Sequence, residues 1–426
     1  MLSANPIIMS FNKLKRLIPA RFLPRLWYHR SKGKYYARKF GYPAKDMTVI
    51  AVTGTDGKTT TCGMLFHCLK KAGKKVGMLT TTSFAWNDIE EINETHKTSL
   101  SPKQLNHYLA RMKHDGVKYL ILEASSHALD QGRLADIPLH TAILTNLAHE
   151  HLDYHKSMKK YRSAKSLLFK NAKYAVINGD DPFLEPLYHL AEHPVLTFGQ
   201  TSKNDLIIQK TVTHPNGVQG EISINEQNLT VDIPLFGAHN IFNAVACLLA
   251  CETIGIEPKI AIEYLKSFSG VPGRMEKVNI HKPFTVLVDY AVTPQAFKAL
   301  FETARQVDSG RLIAVFGACG DRDREKRPIL GQIASELCDK VIITDEEPYH
   351  ENPAEIREMI ALGIPKNLKA RVEIIADRKK AIEHALKIAA PHDVITVSGM
   401  GNQTSMVIRD EKIPWSDREV VKELGQ

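Results

Sequence analysis

The 426-residue chain has no C-x-x-C pair among its six cysteines, no internal repeat and no low-complexity tract. Cys62, Cys68, Cys247, Cys251, Cys319 and Cys338 are scattered through apolar segments, which excludes a disulfide framework and predicts buried, reduced thiols in a cytoplasmic protein. The longest stretch without Asp, Glu, Lys or Arg, residues 233–251, is broken by His239, Asn240 and Asn243, which are costly in hydrocarbon, so no transmembrane span is expected. No early apolar run ends in a small-residue cleavage site, and no secretory signal is expected. Acid is missing altogether from residues 1–45, which carry eleven Lys and Arg. The formal charge of +9 therefore belongs to that segment, since the remainder holds 45 basic and 47 acidic residues. Between Phe11 and Phe40, Lys13, Arg16, Arg21 and Arg25 alternate with Leu14, Leu17, Phe22, Leu26 and Trp27. Two readings stand: an amphipathic surface for anionic lipid or nucleic acid, or a helical extension docked on the next domain.

What is present is the composition of a globular protein, 43% hydrophobic and 24% charged, in a chain long enough for two or three domains. From Met47 short β-branched runs alternate with helical patterns, as in a mostly parallel sheet with crossover helices. Strands are predicted at 48–53, 76–80, 119–123, 141–145 and 174–177, and helices at 58–72, 102–115 and 157–169. Residues 204–233 alternate apolar and polar around His214-Pro215-Asn216-Gly217 and predict an antiparallel β insertion. A helix at 239–253 precedes the Gly270-Val271-Pro272-Gly273 cluster, the predicted boundary. A second α/β set follows, with strands at 285–288, 312–316, 340–343, 372–375 and 393–397. The expected organisation is a basic segment 1–46, a central doubly wound α/β domain 47–272 and a C-terminal Rossmann-like α/β domain 273–426.

The strand at 48–53 runs into Gly54-Thr55-Asp56-Gly57-Lys58-Thr59-Thr60 and then a helix. Glycines let the backbone wrap a phosphate, the helix start supplies N–H groups, Lys58 neutralises terminal phosphates and Thr59 can hold Mg²⁺. Val52 stands where an eight-residue P-loop has its first glycine, so this is a shorter G-x-x-G-K-T form. Glu123 closes the strand at 119–123, at the carboxyl edge where open α/β sheets bind ligands.

These stretches resemble the Mur ligase family, and within it the UDP-N-acetylmuramoyl-tripeptide synthetases. The resemblance runs through 54–61, 122–132, 145–155, 161–169, Asn178-Gly179-Asp180-Asp181-Pro182, 236–243, 270–276, Asp289-Tyr290-Ala291 and 316–328, covering roughly 47–420. It implies ATP and Mg²⁺, a muramyl peptide and an amino acid as substrates, and an acyl phosphate that an amine converts to an amide. Lys58 would contact the β- and γ-phosphates, and Thr59, Glu123 and His151 would serve metal sites. Lys165 matches the lysine that becomes carbamylated, which would let it bind metal; otherwise it is a surface residue. His239, Asn240 and Asn243 match the adenine-side motif, Arg274 the hinge arginine that reaches the phosphates, Asp289 the ribose aspartate and Ser125 a substrate-binding position.

Three departures concern substrate choice. Only 46 residues precede Met47, short of the family's uridine-binding domain, which leaves the acceptor's carrier open. Glu346-Glu347-Pro348-Tyr349 replaces Asp-Asn-Pro-Arg, and Gly399-Met400-Gly401-Asn402-Gln403 replaces Gly-Lys-Gly-His-Glu. Val292 also stands at a family histidine. Glu346 and Glu347 either favour a cationic amine such as lysine or face solvent as loop acids. Alternatives are a nucleotide-binding regulator without ligase activity, a folylpolyglutamate-type ligase, and a zinc hydrolase using His149, His151 and Asp153.

Overall fold

A computed structural model describes residues 23–93, 95, 97–134, 136–148, 151–182, 194–214 and 216–426. The chain divides into two compact units. The first holds the described residues up to Ile208 with Ile222–Leu229 and Phe242–Tyr264, and the second holds Gln209–Glu221, Thr230–Ile241 and Leu265–Gln426.

The first unit is built on strands β1 (Thr48–Thr53), β2 (Val76–Leu79), β3 (Ser83–Trp86), β4 (Ile89–Ile92), β5 (Tyr119–Glu123), β6 (Leu139–Leu144), β7 (Ala172–Asn178) and β8 (Val195–Gly199). The sheet continues through β9 (Leu206–His214), β10 (Gly217–Ile224) and β11 (Gln227–Ile233), in the order β11-β10-β9-β8-β7-β6-β1-β5-β2-β3-β4. Pairing is parallel from β2 across β5, β1, β6 and β7 to β9, so this is the mostly parallel α/β sheet the sequence predicts. The predicted insertion supplies the far edge; Pro215 of its turn lies outside the described residues.

β1 lies between β5 and β6, with Val52 opposite Glu123 and Thr53 opposite Leu144. The ends of three strands therefore meet at one edge. Val49, Ala51, Leu120, Leu122, Ala142 and Leu144 from these strands share one buried core. The helix Pro102–His114 lays Leu105, Leu109 and Met112 into it. Its start is fixed by Pro at the first turn and by Ser101, whose hydroxyl accepts from Gln104 N–H.

The pair β3–β4 was not legible in the sequence. Its strands are four residues each, Ile89 and Ile92 are exposed, and the turn depends on Asn87 at φ 51°. Trp86 nevertheless is wholly buried and donates its indole N–H to Asp115 Oδ2 at 2.7 Å. The basic segment forms a helix over Leu23–Lys39. Phe40 stacks edge-on against His107 at 6.3 Å, and Gly33 passes close to the Gly132 carbonyl, so the described part is a docked extension. Lys13, Arg16, Arg21 and their apolar neighbours up to Phe22 lie outside the described residues.

The second unit carries a six-stranded sheet: β12 (Glu276–Lys277), β13 (Thr285–Asp289), β14 (Leu312–Phe316), β15 (Lys340–Ile343), β16 (Val372–Ile374) and β17 (Val394–Ser398). The order is β12-β13-β17-β14-β15-β16, parallel except at β12. One face packs Leu287, Ala314, Phe316, Val341 and Ile343, and the other Val286, Val288, Ile313, Val315 and Val397, so both faces are covered. The hairpin β18 (Ser405–Ile408) and β19 (Glu411–Pro414) follows the last parallel strand. Among the described residues no helix is long and apolar enough to cross a membrane.

Candidate active site

The loop Gly54–Lys58 leaves the end of β1 and enters the helix Lys58–Lys71. Gly57 sits at φ 77°, and a Cβ there would collide with the Asn243 side-chain carbonyl, so both backbone and space demand glycine. A Cβ on Gly54 would strike Thr145. Two residues beyond β6 hold the loop. Asn146 Oδ1 accepts from the N–H groups of Thr55 at 3.0 Å and Asp56 at 2.9 Å. Thr145 donates to the Asp56 carbonyl at 2.6 Å. Thr55 is pinned from its side chain, accepting from Ala148 N–H at 2.9 Å and sharing a hydrogen bond with Tyr161 at 3.2 Å.

Two cations converge on this loop. Lys58 Nζ donates to the carbonyls of Gly54 at 3.0 Å and Thr55 at 2.6 Å. Lys165, from the helix Met158–Ser166, is 1% exposed, donates to the same Gly54 carbonyl at 2.6 Å and lies 4.7 Å over the Tyr161 ring. The surface-lysine alternative for Lys165 is thereby overturned. Its side chain crosses buried space to the loop.

Thr59, in the first helical turn, donates its hydroxyl to Glu123 Oε2 at 3.0 Å. The same carboxylate oxygen accepts Thr81 N–H at 2.8 Å. A hydroxyl and a carboxylate side by side are the hard oxygen donors that Mg²⁺ takes, so the chemistry of this pair fits that ion. Thr60 is half-buried on the next turn position, and Asp56 is exposed at the loop tip. His151, exposed and at φ 55°, stacks on His127 at 4.9 Å and Tyr161 at 6.2 Å. Ser125 caps the short helix Ser126–Asp130 and bonds Ser99 at 3.2 Å. Asn243 is buried, with Thr61 donating to its Oδ1 at 3.5 Å. Sequence reasoning missed Asn146, Thr145, Tyr161, Thr81 and Ser99. All but the last two stand inside the stretches 145–155 and 161–169, yet only the register of β6 beside β1 shows that they grip the loop.

In the second unit Asp289 ends β13 and accepts from Met275 N–H and Ala291 N–H, each at 2.7 Å. Burial pushes its carboxyl up, against the pull of Arg274. The Arg274 guanidinium lies 5.1 Å over the Tyr290 ring. Gly401, at φ 54°, passes so close to Tyr290 that a side chain would not fit.

Glu346 and Glu347 are 4% and 3% exposed, which corrects the solvent-facing reading of these acids. The Cys319 thiol donates to Glu346 Oε1 at 2.9 Å. Glu347 accepts from Tyr349 OH at 3.2 Å, Gln403 Nε2 at 3.5 Å and Val407 N–H at 3.2 Å. All four acceptor-side candidates, Glu346, Glu347, Tyr349 and Gln403, thus form one cluster. Burial pushes Glu346 up, and burial with the Glu347 charge pushes Tyr349 up to about 12. The fully buried pair Arg378–Asp417, at 2.7 Å, stands behind, with Arg378 also donating to the Ser398 carbonyl at 2.9 Å.

A glycine loop with paired lysines and a hydroxyl–carboxylate pair, on a mostly parallel sheet, has the donors and charges that nucleotide-dependent phosphoryl transfer requires. The family pattern described as the Mur ligase middle domain matches residues 52–251, and that of the Mur ligase glutamate ligase domain matches 273–401. The chain belongs to the Mur ligase family of ATP-dependent ligases, and within it to the MurE type. It is similar to the UDP-N-acetylmuramoyl-L-alanyl-D-glutamate–2,6-diaminopimelate ligase of Syntrophomonas wolfei, 35% identical over 91% of this chain and 80% of the relative. The ligase of the same name from Thermosynechococcus vestitus is 36% identical over 92% and 79%. A solved structure of such a ligase aligns with TM-score 0.68 and 29% identity over 93% of this chain and 81% of the other. Folylpolyglutamate synthase of Mycobacterium tuberculosis with ADP aligns at TM-score 0.69 over 92% and 96%, but at 18% identity, a likeness of fold alone.

Proposed function

We propose that this ligase joins the amine of an amino acid to the carboxylate of UDP-MurNAc-L-Ala-D-Glu, or of a related muramyl peptide, in peptidoglycan precursor synthesis in the cytoplasm. The observation that carries the reading is the convergence of Lys58, Lys165 and the Thr59–Glu123 pair on one glycine loop. The N–H groups at the start of the helix Lys58–Lys71 and the Lys58 ammonium neutralise the terminal phosphates of ATP and orient the γ-phosphoryl toward the acceptor carboxylate. Thr59 and Glu123 would hold Mg²⁺, which supplies positive charge to the phosphate oxygens when bound. Lys165 keeps a further charge beside the loop, and as a carbamate it would instead add a metal ligand. Asn243 and Asp289 are the proposed adenine and ribose contacts, and Arg274 the arginine that reaches the phosphates. Transfer gives an acyl phosphate, amine attack gives the amide, and ADP and phosphate leave.

The relatives' names give diaminopimelate as the amine. Buried Glu346 and Glu347 favour a second reading, an amino acid whose side chain ends in a plain ammonium, such as lysine or ornithine. A far carboxylate, as on diaminopimelate, would meet two acids there. Measuring ADP release with UDP-MurNAc-L-Ala-D-Glu and diaminopimelate, lysine, ornithine or a neutral amino acid decides between them. Release with none of these amines would leave a nucleotide-binding protein without ligase activity. The exposed Tyr28 and Tyr35 of the basic helix suit peripheral contact with anionic lipid, which co-sedimentation with anionic vesicles tests.

A further inference from the structure

Spacing along the chain hides one cluster completely. Cys247 and Cys251 stand one turn apart on the helix His239–Glu252, so their side chains share a face. Cys68, on the helix Lys58–Lys71, faces them. The three Sγ atoms all lie within 4.8 Å of one another, and those of Cys247 and Cys251 are 4.0 Å apart. None of the three residues has any exposed surface. No other group of this kind occurs among the described residues.

We propose that Cys68, Cys247 and Cys251 form a three-coordinate thiolate site for a soft, thiophilic metal ion, with Cu(I) as the ion whose chemistry fits. A trigonal ion with metal–sulfur bonds of about 2.3 Å needs its sulfurs about 4.0 Å apart. Cys247 and Cys251 already stand at that separation, and all three sulfurs lie within 4.8 Å of one another. Zn²⁺ usually demands a fourth ligand, and His67, the histidine next along the helix, is engaged by the Tyr264 carbonyl at 2.9 Å. A disulfide fits less well, since it requires the sulfurs to close to about 2.0 Å. Binding converts thiols to metal thiolates and releases their protons to solvent; copper keeps its oxidation state. The ion would tie the helix that begins at the glycine loop to the one that carries Asn243.

The test is an anaerobic titration of the full chain with Cu(I) against a chromophoric Cu(I) chelator, with thiolate-to-copper absorption as second readout. One ion per chain is expected. Cys247→Ala and Cys68→Ala should each weaken retention by about 100-fold or more. Cys62→Ala and Cys338→Ala, which remove buried thiols outside the cluster, should leave it unchanged, with circular dichroism confirming that each variant folds. No retained copper in the unaltered chain would overturn the proposal. So would equal loss in the Cys62 and Cys338 variants, or a mass lower by two hydrogens that shows a disulfide instead.

Discussion

The hydroxyl of Thr59 donates to the carboxylate of Glu123 across 3.0 Å, joining the first turn of the loop helix to the end of β5, sixty-four residues on. The pair exists because β1 and β5 are parallel neighbours with Val52 opposite Glu123, so both strand ends open on the same edge. Glu123→Gln keeps the shape and removes the charge. We expect kcat for amine-dependent ADP release to fall by about 10²-fold or more while the melting temperature changes little. Chelation of divalent ions should abolish turnover in the unaltered chain, and added Mg²⁺ should restore it.

Asn146 holds two loop N–H groups with one carbonyl oxygen. Asn146→Ala leaves both to water and loosens the phosphate cradle. The cost in folding free energy is about 1–3 kcal/mol, and calorimetry should show a weaker ADP affinity.

Lys165 reaches Gly54 from a helix more than a hundred residues further along, with 1% of its surface exposed. Lys165→Ala removes a buried cation from beside the loop. Turnover should drop by about 10²-fold, with ADP affinity reduced less than kcat.

These positions mark what the sequence disclosed and what it withheld. The strands Thr48–Thr53, Tyr119–Glu123, Leu312–Phe316 and Lys340–Ile343 were legible to the residue because they are short, β-branched and buried on both faces. Lys58 and Thr59 were legible because glycine, strand and helix signals coincide in one stretch. Asn146, Tyr161 and the Cys68–Cys247–Cys251 cluster were not, since each acts across strand or helix neighbours that periodicity does not specify. The burial of Glu346 and Glu347 was only half legible: two adjacent acids beside a proline fit a pocket for a cationic amine and a solvent-facing loop equally well.

Glu346 gives a pH-dependent test. Burial raises its pKa, so its folded form holds the proton more tightly than the unfolded chain does. Its contribution is most favourable below the unfolded carboxylate range and is lost as pH rises through the raised folded value. Glu346→Gln should therefore raise the melting temperature relative to the unaltered chain at neutral pH, with the gap shrinking toward acid. In parallel the KM for a cationic amino acid should rise.

The most direct measurement is steady-state ADP release by Lys58→Ala, with ATP, UDP-MurNAc-L-Ala-D-Glu and the preferred amino acid. Lys58 Nζ now rests on the carbonyls of Gly54 and Thr55, where the terminal phosphates of ATP are proposed to lie. Ligation is expected to fall by about 10³-fold or more in a variant that still folds. Undiminished amine-dependent turnover in that variant would contradict it.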